Sequence, residues 1–155
     1  TDWFATTIWA RSDSVIVASG IEARLIEAEA ALQATDIPTF LAKLNAARAT
    51  RLNALGARTL ADLADPGDNT ARQNLLFRER AFWMFGTGHR LGDLRRLIRQ
   101  YGRGAETVFP TGAFNKGGNY GPDLNFPISV DELNNPSIPQ TPATQLLSTC
   151  IDRNA

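Results

Sequence analysis

Apolar residues recur at helical spacing from Ile21 to Tyr101 and at no fixed spacing after it. A face of apolar residues three and four apart must be buried against another element. The first two thirds of the chain is therefore read as packed helices. Beyond Tyr101, Gly, Pro and Asn dominate, and a long helix has no apolar face to be built on. The chain reads as one piece over residues 1–155. It is mainly α, with helical hairpins over about 19–101 and a Gly/Pro-rich, irregular segment over 102–155.

Local signals divide the first part. Val15-Ile16-Val17 reads as a short strand or an extended lead-in. Ser19 caps a first helix, with Glu22 in capping-box spacing and Ile21, Leu25, Ala28 and Leu32 inward, ending near Ala34. Asp36 and Pro38 open a second helix, with Phe40, Leu41, Leu44, Ala47 and Leu52 inward, ending near Gly56. Pro66-Gly67 marks a connector. A third helix follows over about Asn69–Phe85, with Leu75, Leu76, Phe82, Trp83 and Phe85 inward. Gly86 and Gly88 bracket a break. A fourth helix runs over about His89–Tyr101, with Leu91, Leu94, Ile98 and Tyr101 inward. The short connections predict two antiparallel hairpins, stacked as tetratricopeptide units stack. No repeat at their spacing of about 34 residues is visible.

Composition narrows the function. Sixteen basic and sixteen acidic residues cancel, which argues against a nucleic-acid partner and against charge-driven membrane binding. One Cys (Cys150) and one His (His89) cannot build a disulfide framework, a multi-Cys zinc site or a multi-His metal site. No run of about 18 apolar residues suits a bilayer-spanning helix. Glu22, Glu27 and Glu29 lack the Glu-x-x-His partners of a dimetal bundle. The Gly-rich stretches carry no phosphate-loop ending. No cofactor or metal is expected. Fourteen of the sixteen basic residues are Arg; this suits bidentate pairing with carboxylates, and it equally suits a bias in genomic base composition.

Two polar residues stand on apolar rows. Glu79 lies among Leu75, Leu76, Phe82 and Trp83, and Arg48 continues the row of Leu41 and Leu44. A charged group facing a core must be paired. Arg48 is the first partner expected for Glu79, and Arg95 the second. Arg90 and Asp93 at i, i+3, and His89 and Asp93 at i, i+4, share one helix face, read as solvated or locally paired. Trp3, Trp9, Phe114 and Tyr120 lie outside the helices, where exposed rings flanked by Asn and Gly, Asn119 among them, suit stacking on a sugar or peptide face; Trp3 and Trp9 also suit simple packing on the helices.

The order Glu22…Ala28-Glu29-Ala30, Leu44-Asn45-x-x-Arg48-Ala49, Glu79-Arg80 and Gly88-His89-Arg90-x-x-Asp93-Leu94-Arg95-Arg96 resembles the carboxy-terminal half of the SusD/RagB family of nutrient-binding outer-membrane lipoproteins. Phe126-Pro127-Ile128, then Glu132 and Asn135-Pro136, resembles the closing motif of that family. The likeness covers about Val15 to Pro136. It departs where Thr87 stands for the usual Glu and where Ser129 stands for Pro. The resemblance implies a tetratricopeptide-like scaffold that performs no catalysis. It implies a place at the cell surface over a TonB-dependent, SusC-like transporter, and an oligosaccharide or peptide ligand. Arg48, Glu79, Arg80, Arg90, Asp93 and Arg95 are then expected to form a structural charge network. Phe114, Asn119 and Tyr120 are expected to touch ligand. With Thr1 first, we expect a piece of a longer chain, lipid-anchored through a missing amino-terminal region. The alternative is a helical interaction module acting alone.

Overall fold

A computed structural model describes residues 12–14, 16–50, 60–120 and 137. The architecture is mainly α, and among the described residues there is no β-strand. The chain divides into two compact units, Thr1–Arg90 and Leu91–Ala155.

The first unit holds α1 (Gly20–Gln33), α2 (Ile37–Thr50) and α3 (Asn69–Trp83). Each begins at a side chain that accepts an orphan amide proton. The Ser19 hydroxyl accepts from the Glu22 N–H at 3.1 Å, Asp36 from Thr39 at 3.1 Å and Asp68 from Ala71 at 2.8 Å. The Thr39 hydroxyl, then its N–H, holds the Asp36 carboxyl below its ordinary range. Residues 51–59, including Leu52 and the expected end at Gly56, lie outside the described residues. So do Trp3, Trp9, Cys150 and the 126–136 motif.

α1 packs against both α2 and α3. Leu25, Ala28, Leu32, Phe40, Leu44, Ala47 and Leu76 are buried with at most 5% exposure. Fully buried alanines at 28 and 47 leave room for close backbone approach. Ile21 and Leu41 are half-buried.

The buried side of α3 differs from expectation. Leu75, Leu76 and Phe77 are buried along with Glu79 and Arg80, and so is Met84 beyond the helix end, whereas Phe82 and Phe85 are 68% and 62% exposed. At 3.6 residues per turn, Phe82 lies about 120° from Leu76. The helix ends at Trp83, so Phe85 is past its last turn. Ile16 and Val17 of the apolar lead-in are likewise exposed, and neither is in a strand.

The turn from α1 to α2 is a Schellman motif. Asp36 N–H donates to Ala31 O at 2.9 Å and Thr35 N–H to Leu32 O at 3.1 Å, with Thr35 at φ 60°. A β-branched residue is strained there, at about 1–2 kcal/mol. Thr35→Asn should raise stability by about 0.5–1 kcal/mol. A urea midpoint at or below that of the unaltered chain contradicts this assignment.

The second unit carries most of α4 (Arg90–Arg99), then α5 (Ala105–Val108). Asp93 and Leu94 are the buried residues of α4; Leu91, Ile98 and Tyr101 are half-buried. Gly102 at φ 65° follows the helix, and Arg103 N–H returns to Leu97 O at 3.0 Å. Within the stretch expected to be irregular, Ala113 and Asn119 form an antiparallel bridge. Tyr120 N–H donates to Gly112 O at 2.9 Å and Phe114 N–H to Gly118 O at 2.8 Å. No helix among the described residues is long and apolar enough to cross a membrane.

Candidate functional site

Glu79 is the centre of the first unit's polar chemistry. Its side chain is 3% exposed. Arg48 grips it with both edges of the fork, Nε to Oε2 at 3.0 Å and Nη2 to Oε1 at 2.7 Å. The Trp83 indole N–H donates to Oε2 at 3.1 Å, and Arg78 stands 3.8 Å from Oε1. Hydrogen bonding to Glu79 pushes the Arg48 guanidinium above its ordinary value, against a smaller opposing effect of burial.

The remaining arm of Arg48 faces outward, and Nη1 donates to Ala61 O at 2.6 Å. One turn earlier, Asn45 takes both backbone groups of Leu63. Its Oδ1 accepts from Leu63 N–H at 2.8 Å, and its Nδ2 donates to Leu63 O at 3.3 Å. The segment 60–65 is thus strapped to α2 by main-chain bonds. Its far end is pinned by Arg72, which donates to Asp65 from Nε at 2.7 Å and from Nη2 at 2.7 Å.

His89, placed by its spacing on one helix face with Asp93, contacts Glu22 and Thr87. Its Nε2 lies 3.1 Å from Glu22 Oε1 and its Nδ1 lies 2.7 Å from Thr87 Oγ1. The Thr87 hydroxyl has one proton and also contacts Met84 O at 2.6 Å. A carbonyl only accepts, so the hydroxyl proton goes to Met84 O. The His89–Glu22 contact ties the segment after α3 to the first turn of α1. Sequence spacing carried no sign of it, since the partners lie 67 residues apart.

Arg80 is 4% exposed, and Arg90 lies on the surface. In the second unit, Asp93 pairs with Arg96, three residues further along α4, at 3.1 Å. Arg95 is half-buried, and its Nε is covered with no hydrogen-bond partner among the described residues. Glu27 is held below the ordinary carboxylate range by Arg24, then Lys43. Among the described residues, no group of three or more His, Cys, Asp and Glu is placed to hold a metal.

The aromatic candidates come together in the second unit. Phe114 and Tyr120 meet edge to face, with centroids 5.2 Å apart and planes at 74°. Both are partly exposed, at 38% and 42%. Residues 114 and 120 are diagonal neighbours across the bridge, while Asn119 is in the pair with Ala113 and, by strand alternation, turns to the other face. Gly117 and Gly118, at φ 100° and 77°, make the tight reversal that a side chain at either position would strain.

No family model matches the chain, and no curated protein or solved structure matches it either.

Arg48→Met leaves a buried carboxylate without its main partner and should cost about 3–5 kcal/mol. Adding Glu79→Met should recover most of that loss. Urea unfolding of the four chains checks this, and equal, additive losses would count against a paired role.

The Arg72 fork, then the Gly67 N–H, holds the Asp65 carboxyl at about 2, against an ordinary 3.8. A depressed carboxyl contributes stability above its unfolded pKa and loses it as pH falls through the folded one. The strap's anchor should therefore persist at pH 4 and be lost as pH falls through about 2. In Arg72→Met, the Asp65 carboxyl followed by NMR should titrate nearer its ordinary value.

Proposed function

We propose that this chain is the carboxy-terminal portion of a SusD-like nutrient-binding protein of an outer-membrane uptake system. One observation carries the proposal. The residues on which the resemblance rests are paired with one another or with nearby backbone: Glu22 with His89, Arg48 with Glu79 and Asn45 with Leu63. Motifs scattered over some seventy positions thus act as one scaffold, as a shared ancestral framework requires.

In this reading the hairpins stack as tetratricopeptide units and present the protein to a TonB-dependent, SusC-like transporter. Anchoring is by lipid, through a region upstream of Thr1. The work is capture, with no catalytic step. The ligand is an oligosaccharide or a peptide; Phe114 and Tyr120 offer it rings on one face of the turn, and Asn119 an amide from the other. Edge-to-face packing orients the Tyr120 ring, which lowers the cost of stacking on it.

The test uses the full-length protein on a glycan array and a peptide panel, together with co-purification from outer membranes. Binding of one saccharide or peptide class, and recovery with a β-barrel transporter, are expected. Tyr120→Ala should weaken binding about tenfold, the equivalent of one ring contact of about 1.4 kcal/mol. Unchanged affinity after alanine replacement of Phe114, Asn119 and Tyr120 together removes them from the site. The rival reading, an interaction module acting alone, draws on the strapped segment over α2; it predicts peptide binding with no transporter recovered.

A further inference from the structure

The Asn45–Arg48 edge of α2 holds polypeptide through its main-chain groups. Asn45 satisfies both the N–H and the C=O of Leu63, as a neighbouring strand would. Arg48 takes the carbonyl two residues earlier, at Ala61. Alternate residues of an extended chain lie about 6.6 Å apart, and side chains at i and i+3 of a helix are separated by about 5–6 Å. The longer reach of Arg48 makes up the difference. Glu79 fixes the guanidinium through Nε and Nη2, so Nη1 is held ready before any chain arrives.

The occupant is lightly held. Leu60, Ala61, Asp62, Ala64 and Asp65 are exposed, and Leu63 alone is half-buried. Burial therefore adds little, and the attachment consists of the main-chain bonds to two α2 side chains together with the Arg72–Asp65 pair at the far end. A segment of this kind opens locally, without global unfolding.

We infer that the Asn45–Arg48 edge is an acceptor site for an extended polypeptide with a leucine-sized residue at the clamped position, filled in cis by Leu60–Ala64. An extended segment of another chain takes the same bonds when the strap lifts. This site is separate from the Phe114–Tyr120 rings and does not rest on the nutrient-capture reading.

Two measurements test it. Leu63→Pro removes both the clamped N–H and the apolar anchor, so the strap cannot dock. In that variant the Asn45 side-chain amide resonance should leave its native position. The peptide acetyl-Leu-Ala-Asp-Leu-Ala-amide should return it, saturably, at millimolar concentration, the range in which a tethered strap is replaced by a free one. The same peptide with Pro in place of its second Leu should not. No saturable shift up to about 10 mM, or equal action by the Pro peptide, overturns the inference. Hydrogen exchange on the unaltered chain decides the matter independently of how that variant folds. The Leu63 amide should exchange at least about tenfold faster than the Leu44 amide. Exchange of both at one common rate means the strap never lifts alone, and the acceptor site falls with it.

Discussion

A carboxylate at 2% exposure on a helix that faces the core is the constraint around which the first unit is organised. Glu79 has to be matched by a cation in a fixed geometry, because an unmatched buried charge costs several kcal/mol. α1 packs on both α2 and α3, which leaves the relation between α2 and α3 to be set. The Arg48 fork sets it: two parallel bonds admit one rotation of α2 and one register. Apolar packing alone tolerates small slips of one helix along another; a bidentate pair does not. The same guanidinium then reaches Ala61 O, so the polypeptide leading into α3 is tied to the pair that fixes α3 itself.

The four longer helices, though not α5, and this pair are legible in the sequence, for a shared reason. Ser19 and Asp36 each satisfy an amide three residues ahead, and Glu79 breaks an apolar row at helical spacing. Both are local signals, read within one or two turns. The geometry that was missed is non-local or conformational. Glu22 was expected to serve the cap of its own helix, and its carboxylate instead meets His89, which no spacing rule links to it. Thr35 in a left-handed conformation gave no Gly or Asn to mark it. The buried face of α3 departs from the sequence expectation because residue type alone marks aromatics as buried, although Phe82 and Trp83 are adjacent and lie about 100° apart on a helix.

The Gly-rich stretch shows the opposite case. Its composition pointed to irregular chain, and among residues 112–120 it makes a closed reversal instead. Each positive φ at Gly112, Gly117 and Gly118 is a conformation that other residues adopt at a cost, so the glycines specify the turn rather than loosen it. The candidate ligand residues are consequently split by the bridge. Phe114 and Tyr120 share a face, and Asn119 belongs to the other.

The excess of Arg over Lys acquires a structural use at the two ends of the strap. Arg48 spends three nitrogens on Glu79 and Ala61. Arg72 spends two on Asp65 and reaches Gly67 O at 3.2 Å as well. A lysine at either place keeps the charge and presents it from a single nitrogen, without the planar fork that meets a carboxylate at two points. At Arg48 it is forced to choose between the buried carboxylate and the strap, because one ammonium cannot span both. Base composition accounts for how many arginines a chain carries; it does not account for guanidinium forks standing where one cation must bind a carboxylate and a carbonyl together.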